Sequence, residues 1–149
     1  MNRTLRWCVA LLGIGLAAGC GGGKSGSDAK APVAKSPYDN GPRAGESPVA
    51  VALAVKGEGL FKTKGCSACH AFGQKLTCPD LKGVTMRRTS EWMQHQILHP
   101  DIMTKEDPIA RQLFETYLTQ MPNQGLTQDE AMSVIEFFKK KDHDLGVIQ

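Results

Sequence analysis

The sequence predicts an all-α domain over residues 48–149, and three observations carry that expectation. No segment alternates apolar and polar residues long enough for a half-buried strand. Four segments open on a helix-capping residue: Ser47, Ser90, Asp107 and Thr127. Behind the last of these, Ala131, Val134, Ile135 and Phe138 recur at the i, i+3, i+4, i+7 spacing of one helix face.

Each element has its own local reason. Ser47 followed by Pro48 reads as a cap with proline at the first helical position, opening "VAVALAVKGEGLFK". Ser90 caps "SEWMQHQILH", which Pro100 is expected to close. Asp107 and Pro108 repeat the cap-and-proline signal before "IARQLFETYL". Thr127 and Glu130 form a capping box for the final helix.

The N-terminal part reads differently. Arg3 and Arg6 precede the uncharged run Trp7 to Gly19, which is shorter than the about 20 apolar residues of a membrane span. Residues 1–19 fit a secretory signal. "LAAGC" resembles the bacterial lipobox, which implies diacylglycerol on Cys20; the alternative is an ordinary signal cut before that cysteine. A lipidated Cys20 would hold the protein on the periplasmic face of a bacterial membrane, inner or outer, by acyl chains and not by a span. Residues 20–47, rich in Gly, Ser, Pro and Ala, are expected to be a flexible tether.

Without Arg3 and Arg6 the chain has 16 basic and 15 acidic residues, and from Pro48 onward twelve face twelve. No basic run points to nucleic acid, which is dropped as a partner.

The stretch "GCSACH", Gly65 to His70, carries the chemistry. A zinc site completed by His95 and His99 has the wrong separation, and no second C-x-x-C exists. A redox dithiol belongs at the start of a helix after a strand, and no strand precedes this one. C-x-x-C-H is the attachment signature of c-type haem. Cys66 and Cys69, a turn apart, can form two thioethers while His70 turns its imidazole to iron. For the other axial position, Met86, Met93, Met103, Met132, His95 and His99 are rivals. Met121 is favoured, because it sits in the polar loop "TQMPNQG", where an apolar side chain needs a reason.

These motifs resemble the class I monohaem cytochromes c over about Pro48 to Lys141: "GEGLF", "GCSACH", "CPDLKGV", "MPNQGL" and "AMSVIEFFKK". The resemblance implies crossed first and last helices with Gly57 against Phe137, or Phe138 in a slipped register. It also implies that the Pro79 carbonyl accepts the His70 N–H. Cys78 stands where many relatives have glycine; it reads as a small buried residue, an intermolecular disulfide or a reactive thiol. Trp92, Arg87 or Arg88 could bond a haem propionate, with helix packing for Trp92 and solvated surface for the arginines as the plainer roles. Asn123 could donate to the Met121 sulfur. His95 and His99 share a helix face toward solvent or a neighbouring loop, and His143 is expected to be exposed.

The resulting expectation is one covalent haem c, ligated by His70 and Met121, in an electron carrier and not an enzyme. Donors would be a quinol-oxidising complex or another cytochrome, and acceptors a terminal oxidase or reductase, with transient docking. The alternative is a haem enzyme or sensor subunit with an open distal position.

Overall fold

The computed structural model describes residues 35–149. The expected signal peptide, Cys20 and most of the tether lie outside the described residues. Six α-helices follow in order: α1 (Val51–Thr63), α2 (Val84–Arg87), α3 (Ser90–Leu98), α4 (Pro100–Glu106), α5 (Pro108–Tyr117) and α6 (Gln128–Asp144). No strand occurs among the described residues, and no helix there is long and apolar enough to cross a membrane.

The contact between α1 and α6 is the backbone of the fold. At Gly57 the helices meet so closely that an added Cβ would lie 1.9 Å from the Ser133 carbonyl oxygen. Gly57 therefore meets the main chain of Ser133 and Val134 most closely, one turn before Phe137. Phe137 and Phe138 instead join Phe61 and Phe72 in a cluster with ring centroids 5.4–6.3 Å apart. Edge and tilted contacts of this kind add to the area they bury.

Local cap signals held at two helices and slipped by one residue at a third. Asp107 Oδ1 accepts from the Ile109 and Ala110 N–H groups and caps α5. The capping box at Thr127 and Glu130 is complete. Thr89 caps α3 by accepting from Trp92 N–H, one residue before the expected Ser90. Pro100 does close α3, and it also opens α4 as its first residue, where its missing N–H costs nothing.

The start of α1 departs from expectation. Helix begins at Val51, and Ser47 does not cap it. The Ala50 N–H donates to Glu136 Oε2 at 2.7 Å, so the cap comes from α6. Lys139, 2% exposed, donates to Ser47 Oγ, the Pro48 carbonyl and Glu136 Oε1 at 2.7–3.0 Å. Three acceptors around one ammonium are what a buried lysine requires.

The boundary expected at residue 47/48 moves as well. Residues 36–47 dock on the domain as a strap. Asp39 accepts from Arg43 Nη1, Thr89 N–H and Arg88 Nη1, and the Tyr38 carbonyl accepts from Thr89 Oγ1 at 2.7 Å. The Ala44 N–H donates to the Arg88 carbonyl, and the Tyr38 ring stacks on His95 at 4.1 Å. His95 thus faces a neighbouring segment, while His99 and His143 are exposed.

Asp142 ties the last helix to α2. It is fully buried and accepts from Gly83 N–H, Thr85 N–H and Thr85 Oγ1 at 2.6–3.1 Å. The carboxylate thereby supplies acceptors to a helix start that has no cap of its own.

Candidate haem-binding site

The attachment motif is shaped by the end of α1. Gly65, at φ +78°, takes the left-handed conformation that terminates the helix. Cys66 to Ala68 then form a single tight 3₁₀ turn, and the Cys66 carbonyl accepts from both Cys69 and His70 N–H groups. Cys66 and Cys69 are thereby fixed one turn apart, with His70 directly after.

The segment after His70 folds back to orient it. Cys78 N–H donates to the Cys69 carbonyl and Leu81 N–H to the Ala71 carbonyl. Asp80 Oδ1 accepts from Gly73 and Lys82 N–H groups and holds the turn. This brings the Pro79 carbonyl within 2.9 Å of His70 Nδ1. A carbonyl can only accept, so Nδ1 carries the proton and Nε2 keeps its lone pair. Burial pushes the His70 imidazole below its ordinary value against the raising effect of the Pro79 bond, which favours the neutral, ligating form. Burial likewise pushes the Cys66 thiol up.

A cavity of ≈ 470 Å³ opens beside these residues. Its walls are mainly apolar, with Phe61, Leu81, Val84, Ile97, Leu113, Val134 and Phe138 among them. That size and lining suit a single organic ligand. Cys66, His70, Pro79 and Met121 all line it, so two segments 51 residues apart reach one space. Among the methionines, Met93 also touches the cavity, but it is 2% exposed and wedged in the core, as is Met103. Met86 is exposed on α2 and Met132 packs against the core.

The loop bearing Met121 is pinned from outside. Leu118, at φ +50°, ends α5, and Asn123 Nδ2 donates to the Leu98 carbonyl at 2.8 Å. Gln120 Nε2 donates to the Pro100 carbonyl at 3.2 Å. The expected donation from Asn123 to the Met121 sulfur is therefore replaced: Gln96 Nε2 donates to Sδ at 3.8 Å. Sequence reasoning missed Gln96. Its place four residues after Trp92 and three after Met93, on the cavity side of α3, was the available signal.

Trp92 is also reassigned. Its Nε1–H donates to Asp107 Oδ1 at 3.0 Å, so the indole is committed to the cap of α5 and not to a propionate. Arg88 lies over the Trp92 ring at 5.0 Å and is held by Asp39 and the Arg87 carbonyl. Arg87 donates to the Lys82 and Asp80 carbonyls. Both arginines border the cavity, with these donors used within the chain. Cys78 is buried in the cavity wall, its thiol pushed up by burial and by Cys69 beside it. Among the described residues no three His, Cys, Asp or Glu side chains converge as a metal-ion site.

The Cys66 thiol, an imidazole with its Nε2 free and a thioether on one apolar cavity, with the Cys69 thiol on the same turn as Cys66, together fit a covalently attached haem. An all-α chain built round such a site is a class I c-type cytochrome. Residues 54–141 match the cytochrome c family, and the chain belongs to it. Members of this family carry covalent c-type haem.

A curated relative, cytochrome c-551 of Azotobacter vinelandii, is 55% identical over 31 residues, 21% of this chain. The match spans 38% of that relative's length. Among solved structures, a cytochrome c from Rhodothermus marinus is 29% identical with a TM-score of 0.62, covering 70% of this chain and 99% of that one. An engineered form of the Rhodothermus marinus cytochrome c is 30% identical at TM-score 0.62, covering 65% and 84%.

Proposed function

We propose that the protein carries single electrons outside the cytoplasm, with haem c joined to Cys66 and Cys69 and its iron held between His70 and Met121. Bound haem would supply the one-electron Fe(III)/Fe(II) couple. The chain supplies the rest. His70 presents Nε2 because Pro79 holds the other nitrogen. The Met121 thioether, as the second ligand, raises the reduction potential relative to a second histidine. The apolar lining excludes water and disfavours the more highly charged ferric state in the same direction.

The observation that carries this reading is that the Pro79-held imidazole and the Met121 thioether line one cavity. With both axial positions filled, there is no place for a substrate. The open-face alternative, a haem enzyme or gas sensor, has less support for that reason. Residues 1–19 as a signal and Cys20 as a lipid anchor complete the proposal, putting the domain at the periplasmic face of a membrane. There it would dock briefly with a quinol-oxidising complex or cytochrome as donor and with a terminal oxidase or reductase as acceptor.

Met121→Ala tests the ligation. The oxidised variant is expected to lose the sulfur-to-iron charge-transfer absorption of the wild type, and the reduced variant to gain carbon monoxide binding. A wild type without that absorption, or a variant spectrally identical to it, overturns the His70/Met121 assignment.

A further inference from the structure

The strap closes on residues 87–89, the link between α2 and α3, from which Arg87 and Arg88 reach the cavity wall. Arg43 Nη1 donates to the Arg87 carbonyl at 2.9 Å, and the Ala44 N–H to the Arg88 carbonyl at 3.0 Å. Asp39 Oδ1 accepts from the Thr89 N–H at 2.8 Å and from Arg43 Nη1 at 3.0 Å. Its Oδ2 faces Arg88 Nη1 at 3.4 Å.

Holding the strap does not by itself call for an ion pair. The main chain at Tyr38 and Ala44 already bonds to the domain, and Ala44 is buried against it. Yet the Asp39 side chain is only 9% exposed and that of Arg88 only 19%. Three guanidinium groups, Arg43, Arg87 and Arg88, meet in this corner, and Asp39 is the carboxylate that pairs with two of them. Burial pushes the Arg88 guanidinium below its ordinary value, and Asp39 acts to raise it again. A half-buried cation in such company depends on its one bonded anion.

The position of the pair gives it a second consequence. Arg88 lines the cavity and lies over the Trp92 ring, whereas Asp39 does not reach the cavity. The carboxylate therefore meets the guanidinium from behind the wall and leaves the cavity side to haem and its carboxylates. Ferric iron carries one more positive charge than ferrous iron. A bare cation in the wall thus favours the ferrous state, and a neutralised one favours it less.

We propose that Asp39 is a positioning residue of the haem site. From the strap it holds Arg88 in the cavity wall and offsets its charge, so the segment leading into the domain helps to set the reduction potential. The inference rests on haem filling the cavity, and not on Met121 as the second ligand.

The holoprotein carrying Asp39→Asn tests this, with Arg88→Gln, the double variant and Tyr38→Ala alongside. Asparagine keeps an oxygen for the Thr89 N–H and removes only the charge, so the strap stays seated. At a fixed electrode poise, Asp39→Asn should lower the ferric-to-ferrous ratio by roughly twofold or more, the reach of a unit charge through partly solvated protein. Arg88→Gln should raise the ratio. In the Arg88→Gln background the Asp39→Asn shift should shrink by about half or more, because the carboxylate acts through the guanidinium. Tyr38→Ala loses the stacking on His95 but no charge; it should melt earlier with the ratio nearly unchanged.

An Asp39→Asn protein that melts earlier at an unaltered ratio overturns the proposal and leaves a structural tie. A full-sized shift in the Arg88→Gln background also overturns it, since Asp39 would then act on the iron directly. So does a Tyr38→Ala shift as large as that of Asp39→Asn, which would make seating and not charge the cause. Met121→Ala decides the ligation separately, and these ratios keep their meaning whichever way it falls.

Discussion

Gly57→Ala isolates the closest approach in the fold. The added methyl would lie 1.9 Å from the Ser133 carbonyl oxygen, 2.5 Å from its carbon and 2.9 Å from Val134 N. Since real Cβ atoms stay beyond 3.0 Å, the crossing must open by at least 1.1 Å, the difference between 3.0 and 1.9. The obstacle is main chain, so no rotamer relieves it. A gap of about 1 Å forfeits up to about half the dispersion energy of each contact across the interface. Ala54, Phe61, Ala131 and Val134, all buried on these two helices, would share that loss. Overpacking costs about 1–3 kcal/mol and sometimes more. Alanine returns about 1 kcal/mol of helix propensity. We expect a net loss of about 2 kcal/mol, or roughly 10 °C in midpoint. Denaturant unfolding of the ferric holoprotein, followed by far-ultraviolet circular dichroism, measures it. Gly59→Ala, two residues away with nothing within 4 Å of its new methyl, should stabilise by about 0.5–1 kcal/mol. A Gly57→Ala protein within about 1 kcal/mol of wild type, or moving with its control, refutes the close-packing account.

Other consequences are equally open to measurement. Trp92→Phe should destabilise by about 1–3 kcal/mol by removing a donor from Asp107, with the reduction potential unmoved; a changed potential would put the indole on the haem. Lys139→Ala should cost about 3–5 kcal/mol by leaving the Glu136 carboxylate without its cation. Lys140→Ala, whose partner Asp144 is exposed, should be near neutral. The haem-free chain should lose stability as pH falls through 6.5, the ordinary histidine value. The unfolded chain takes a proton there that the folded His70 resists, and the loss ends once pH drops below the folded value. Acid titration followed by circular dichroism checks this, and His70→Gln should flatten the slope.

What was legible in the chain was local. Asp107 with Pro108, and Thr127 with Glu130, carry cap and helix within four residues, and both stand as read. C-x-x-C-H fixes two thiols and an imidazole by spacing alone, and Met121, an apolar side chain in a polar loop, does line the cavity. What escaped was tertiary. The cap of α1 arrives from Glu136, 86 residues later, so Ser47 misled. The strap is held by Asp39 against Arg88 and Thr89, about fifty residues away, and composition there suggested only a tether. Asn123 is near the Met121 sulfur in sequence but bonds the Leu98 carbonyl, while the donor to the sulfur lies 25 residues upstream. Cys78 fits the small buried residue among its three readings.

The pairing of the first helix with the last has a consequence for biogenesis. A chain threaded N-terminus first delivers α1 and the two cysteines long before their packing partner, residues 128–144, has emerged. Contacts so distant in sequence form late. The thiols therefore stay reachable through most of synthesis, and closure of the domain waits on its final seventeen-residue helix.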